Sequence, residues 1–205
     1  MLRRLFSIGA VALALALLAS PRGEAAVDPG AFVGTLGTQG IQMLGPNVPP
    51  AERTARFGQL FQSDFDIPGI SRFVLGRYWR AYSPDQQQEF LRLFQASTVA
   101  AYSEKLGEFG GGQFRVTGVQ DAGEETVVAS EIIRPGGKPV RMDWHLIQNA
   151  GQYKVSDVYV DGVSMKATER DEYASIIQKN GGQPEALLAV LRQELRGKEA
   201  GASVK

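Results

Sequence analysis

The 205-residue chain balances 22 Lys and Arg against 22 Asp and Glu, has a formal net charge of +0, and contains no cysteine. These facts exclude disulfides, a thiol nucleophile and any Cys-based metal site. No basic run is dense enough to suggest nucleic acid.

Residues 1–25 read as a secretory signal: Arg3 and Arg4, an apolar run over 5–19, a break at Ser20-Pro21, and small Gly23 and Ala25 at the cut. The apolar run falls short of the ~20 residues a spanning helix needs. No Cys follows it, so lipoprotein attachment is ruled out. The expected home is the periplasm of a Gram-negative cell, with the leader removed. Residues 26–197 then form a single domain, large enough for one real core, and 198–205 a flexible tail.

Residues 27–45 are weakly periodic (Phe32, Val33, Leu36, Ile41, Leu44) and suggest a helix broken by its glycines, followed by a Pro46-to-Pro50 loop. A second helix over 51–63 carries Phe57, Leu60 and Phe61 on one side. A short helical stretch through Phe73 and an aromatic linker (Tyr78, Trp79, Tyr82) lead into the longest element, over 83–109. There Ser83 is the N-cap, Pro84 suits the first helical position, and Gln86 completes a capping-box pattern. Leu91, Phe94, Ala101, Tyr102, Leu106 and Phe109 share one face, and Gly110-Gly111-Gly112 ends the helix.

The period then changes to alternation. Residues 114–120, 126–134, 139–148 and 153–160 read as four strands separated by glycine-bearing turns, an antiparallel meander. In the third, Val140, Met142, Trp144 and Leu146 oppose Arg141, Asp143, His145 and Ile147, giving one apolar and one mostly wet face. Two helices follow. The first has a cap-like Thr168-Glu169-Arg170-Asp171 and an apolar face of Tyr173, Ile176 and Ile177; the second opens at Pro184 and carries Leu187, Leu188, Leu191 and Leu195. Helices, sheet, helices in that order predicts an α+β fold: a four-stranded antiparallel meander covered by N- and C-terminal helices.

Catalytic signals are sparse. The single histidine, His145, lies on the polar side of its strand, and metal sites want several clustered ligands. Ser164 in "GVSM" lacks the setting of a nucleophile elbow. An acid–base pair of Asp157 with Tyr159, or with His145, is the one enzymatic arrangement available. Large apolar side chains are abundant instead. Phe57, Phe61, Phe73, Tyr78, Trp79, Phe90, Phe94 and Tyr102 are expected to face Val140, Met142, Trp144 and Leu146 of the sheet, as packed core or as the lining of a cavity.

Residues 65–94, "FDIPGISRFVLGRYWRAYSPDQQQEFLRLF", resemble the signature of the MlaC, or toluene-tolerance, family of periplasmic phospholipid-binding proteins. The likeness falls on Phe65, Asp66, Leu75, Gly76, Trp79, Arg80, Ser83, Gln86, Phe90 and Phe94. It continues at Val140, Asp143, Trp144, Asp157, Val158, Gly162, Val163, Ser164 and Arg170. The chain departs from the family pattern at Tyr153, Glu169 and Tyr173, which bears on the subfamily. The resemblance implies a cone-like fold with an internal apolar cavity, no catalysis and no cofactor. It implies phospholipid as ligand, ferried between an inner-membrane ABC transporter complex and an outer-membrane lipoprotein complex. On that reading the lining is Phe57, Phe61, Phe73, Leu75, Tyr78, Trp79, Phe90, Phe94, Tyr102, Val140, Met142, Trp144, Leu146, Val158 and Val163, with Arg77, Arg80 and Arg141 as head-group candidates.

Three alternatives stand beside the phospholipid carrier. A hopanoid or terpenoid carrier of the related HpnM branch shares the architecture. An isomerase or dehydratase on a cone fold would use Asp157. A scaffold would have solid apolar faces. Lipid extraction separates them.

Overall fold

The computed structural model describes residues 27–43, 47–107 and 112–202. The leader expected over 1–25 lies outside the described residues, as do Phe109, Gly110 and Gly111. Among the described residues no helix is long and apolar enough to cross a membrane.

The sheet is an antiparallel meander, β1 (Gln113–Asp121), β2 (Thr126–Ile133), β3 (Val140–Asn149) and β4 (Gln152–Val160), and it has a fifth strand the alternation did not announce. β5 (Val163–Ser164) pairs with β4 through Val160 and Val163. The cause is a two-residue turn, Asp161-Gly162, with φ of 48° and 84°, the hairpin dipeptide in the left-handed geometry it favours. Ala150-Gly151 closes β3 onto β4 in the same way, at φ 49° and 79°.

Helix α1 (Pro29–Met43) is continuous, although its glycines suggested a break. It lies along β1, where the absence of side chains lets the two backbones approach. α2 (Pro50–Asp64) and α3 (Ile67–Leu75) follow, then a 3₁₀ turn (Gly76–Ala81) and α4 (Pro84–Gly107). The expected capping box at the head of α4 is formed: Gln86 N–H donates to Ser83 Oγ at 3.2 Å, and Ser83 N–H to Gln86 Oε1 at 2.9 Å. α5 (Met165–Lys179) begins before the expected cap at Thr168, because Ser164 Oγ accepts from Ala167 N–H at 3.0 Å. α6 (Glu185–Ala202) runs on through residues read as a tail.

The apolar side chains divide into two cores. One is wholly helical: Phe57 and Phe61 of α2, Phe90 and Phe94 of α4, Tyr173 and Ile177 of α5, and Leu187, Leu188 and Leu191 of α6. The other lies between α1 and the sheet, with Val33, Leu36, Val128, Trp144, Leu146 and Val155. This corrects the expectation that the rings of α4 face the sheet. Phe90 and Phe94 meet Tyr173 edge-on, with ring centres 5.9 and 6.5 Å apart. The reason is competition for one surface. The sheet has a single apolar face and α1 covers much of it, so the apolar stripe of α4 is satisfied by other amphipathic helices.

Candidate functional site

The two cores meet along a seam, bridged by Leu60 and Phe65, which pack against both. Leu36, Gly37, Gly40 and Ile41 of α1 form one wall of the seam. Phe57 and Leu60 of α2 form another, with Phe65 at the α2–α3 junction. Phe114, Ile132, Met142 and Trp144 supply the sheet side. The open space along the seam is about 70 Å³.

Trp144 anchors the sheet side. Its ring stands edge-on to Phe114 at 6.1 Å, and its indole N–H donates to the buried Ser130 Oγ at 2.9 Å. Ser130 in turn donates to the Met142 carbonyl at 3.2 Å. The one polar atom of the ring is therefore satisfied internally, and the rest of the wall is hydrocarbon. On the opposite side Phe61 continues the aromatic line, 6.0 Å from Phe57 and 4.9 Å from Phe65.

The halves are stitched together along β4. Asp66 N–H donates to the Val155 carbonyl at 2.9 Å, and Phe65 bridges Val155. Further along β4, the buried Asp157 accepts from Ser164 Oγ at 2.5 Å and from Lys166 N–H at 3.1 Å, fastening the start of α5.

The sequence-derived lining residues fall in several places. Phe57, Met142 and Trp144 line the seam, and Phe61, Val158 and Leu146 back onto it. Val140 ends the apolar side of β3, half-buried. Phe90 and Phe94 sit inside the helical core, 0% and 2% exposed, and Tyr102 beside it hydrogen-bonds Met165 Sδ at 3.9 Å. Five others lie away from the seam. Phe73 and Val163 are exposed, at 36% and 54%, and Leu75 is buried in the helical core with Tyr78 and Trp79 packed around it. Period-based reading gives a residue's face but not its neighbour, so it merged two interiors and an outer surface. It also missed Leu36, Gly37, Phe65, Phe114 and Ser130. Of these, Phe114 stood in an alternating strand and Phe65 in the quoted motif; Gly37 and Ser130 carry no apolar signal.

The enzymatic alternative finds its residues committed elsewhere. Asp157 holds α5. His145 Nδ1 pairs with Glu125 Oε2 at 2.9 Å, and its ring stacks on Tyr159 at 4.6 Å. The hydrogen bond from His145 holds the Glu125 carboxyl below the usual range, against a partial burial that pushes it up. Among the described residues no hydrogen bond joins Asp157 to His145 or Tyr159, and no group of His, Asp and Glu is set to hold a metal. The head-group candidates Arg77, Arg80 and Arg141 are all exposed and do not share one site with the seam.

The model of one protein family, described as MlaC protein, matches residues 45–193, which include α2 to α5, the whole sheet and the sheet side of the seam. The chain belongs to the MlaC family. It is 28% identical over 118 residues to the toluene tolerance protein ttg2D of Pseudomonas putida, covering 57% of this chain and 55% of that one. It is 24% identical over 113 residues to the intermembrane phospholipid transport system binding protein MlaC of Haemophilus influenzae, covering 53% of each. The chain thus spans about half the length of these curated relatives. A phospholipid-binding protein from Ralstonia solanacearum, solved in complex with a phospholipid, has the same fold: TM-score 0.71 at 22% identity, covering 84% of this chain and 99% of that chain. The expected α+β architecture with an antiparallel sheet is therefore the family's, with five strands instead of four.

Proposed function

We propose that the chain is a periplasmic carrier that takes the acyl chains of a phospholipid into the seam between its two cores. It ferries the lipid between an inner-membrane ABC transporter complex and an outer-membrane lipoprotein complex. The observation that carries this reading is the seam itself, a hydrocarbon-walled boundary between two independently packed interiors joined along β4. Membership of the MlaC family supports it, as do the phospholipid of the Ralstonia neighbour and the transport role named for the Haemophilus relative.

The energetics fit a carrier. Burying a methylene gains ~0.8 kcal/mol, so a diacyl tail pair of about thirty methylenes faces roughly 25 kcal/mol on leaving a bilayer for water. The protein must offer a comparable apolar environment, and one only slightly better than the bilayer, or release fails. At about 70 Å³ the seam lies below the ~300 Å³ at which small-molecule pockets begin. The tails therefore enter by parting the α1–sheet half from the helical half, with Phe57, Met142 and Trp144 as their first contacts and Phe61, Leu146 and Val158 behind.

The test is lipid extraction and mass spectrometry of the full-length protein purified after export. Near-stoichiometric phospholipid is expected, and a hopanoid in its place assigns the ligand to the related branch. Gly40 lines the seam with nothing within 4 Å of where its Cβ would stand, so Gly40→Trp should occlude it and lower the lipid load severalfold while circular dichroism is unchanged. Absence of any lipid together with absent exchange from vesicles, or a full load in Gly40→Trp, overturns the reading.

A further inference from the structure

On the outer side of the helical half lies a second concavity, of about 330 Å³, between the 3₁₀ turn and α5. Phe73, Arg77 and Tyr78 form one wall, and Arg170 and Ala174 of α5 the other. Its cations are held by aromatic faces. Lys166 Nζ and Arg170 Cζ lie 4.9 and 5.2 Å from the ring centre of the exposed Phe73. Arg77 Cζ lies 4.9 Å from the Tyr78 ring centre, and Arg77 Nη2 donates to the Tyr78 hydroxyl at 2.8 Å. Just beyond, Arg72 stands over Trp79 at 5.6 Å.

Stacking fixes where these cations sit without neutralising them. Among the described residues, none of the four forms an ion pair. Of the acids of α5, Glu169 and Glu172 bear on Tyr102 and Tyr173 and Asp171 lines the groove, while Glu125 of the β1–β2 turn bears on Lys166. The result is two cations stacked on one exposed ring, with Arg77 placed beside them on Tyr78, at a concavity. A planar bilayer does not enter a concavity, whereas an extended chain does.

We propose that this groove docks an extended acidic segment of a partner protein, with carboxylates on Arg170 and Arg77 of the lining and on Lys166 beside Phe73, and an apolar side chain against Phe73. The fit is one of charge, and the ordering that binding normally costs is reduced by the stacking already present. The site is lined by different residues from the seam, so this inference goes beyond the carrier reading and does not depend on it.

The experiment uses the full chain and a fluorescent ten-residue peptide of Glu and Asp with one central Trp, a Lys-substituted counterpart, and phosphatidylglycerol vesicles. The acidic peptide should bind, the basic one should not, and binding should weaken steadily between about 0.05 and 0.5 M salt. Arg77→Glu combined with Arg170→Glu should weaken it by about tenfold or more. Lipid retention by the variant should equal that of the parent protein, which separates failure here from failure of the carrier reading. Should the double charge variant not fold, Phe73→Ser, at an exposed position, and Lys166→Gln, at a half-buried one, are expected to weaken peptide binding severalfold and decide the matter. Equal binding of the two peptides, no change in any folded variant, or recruitment of the chain to vesicles but not to the acidic peptide overturns the proposal.

Discussion

The seam can be probed by one methyl group placed at two positions of the same helix. At Gly37 an added Cβ would lie 2.4 to 2.5 Å from the Phe114 ring, against 3.4–4 Å for ordinary contact, so the ring must retreat by roughly 1 Å. At Gly40 nothing lies within 4 Å. Both are helical, so alanine gains up to ~1 kcal/mol of helix propensity at each. At Gly37 that gain is set against an overpacking cost of about 1–3 kcal/mol. Gly40→Ala should therefore be stabilised by about 0.5–1 kcal/mol, and Gly37→Ala should be neutral to about 2 kcal/mol less stable than the parent. Urea denaturation followed by circular dichroism reads the difference, and near-ultraviolet bands should change only in Gly37→Ala, because Phe114 stands edge-on to Trp144. Equal shifts in the two variants, or a stabilised Gly37→Ala, would refute the close packing of α1 on β1.

Phe94 is 2% exposed in the helical core, so Phe94→Ala should cost about 3–5 kcal/mol in urea melts and leave the lipid per folded chain unchanged. A lowered load at undiminished stability would put Phe94 in the lining after all. Burial, reinforced by Glu172 and Glu194, raises the Glu169 pKa above its ordinary 4.5. An acid raised on folding costs stability once pH exceeds its unfolded value. Glu169→Gln should therefore raise Tm at neutral pH, with the gain vanishing as pH falls below 4.5; a Tm lowered at neutral pH would contradict the burial. Asp157→Asn should cost about 1–3 kcal/mol and speed amide exchange at Lys166 and Ala167, whose amides rest on Asp157 and Ser164. Unchanged stability combined with loss of a chemical activity would instead revive the enzymatic alternative.

Local signals were legible where a few neighbouring residues decide the structure. The Ser83–Gln86 box, the alternation of β3 and the glycine turns all appear as read. Asp161-Gly162 was equally legible as a hairpin dipeptide, yet the strand after it is only Val163–Ser164, too short to show alternation. What a single stripe cannot carry is the identity of its partner. Phe94 and Met142 look alike as apolar positions, but one is enclosed by α5 and α6 while the other faces α1 and α2. That assignment depends on which helix reaches the sheet, and the winner, α1, had a weak pattern because Gly37 shares its buried face with Val33 and Leu36.

The helical core is assembled from two segments far apart in the chain, Phe57 to Val99 and Tyr173 to Leu191. Tyr82 donates to the Pro184 carbonyl at 2.7 Å, and Glu89 pairs with Arg192 at 2.6 Å, each across about half of the polypeptide. Phe90 and Phe94 have no complete enclosure until Leu187 to Leu191 have been made. Contacts so distant in sequence form late and slowly, so a growing or threading chain stays short of its final compact state until nearly its whole length has emerged. On the carrier reading proposed above, in which the chain passes a membrane before it folds, such tardiness would keep it fit for passage.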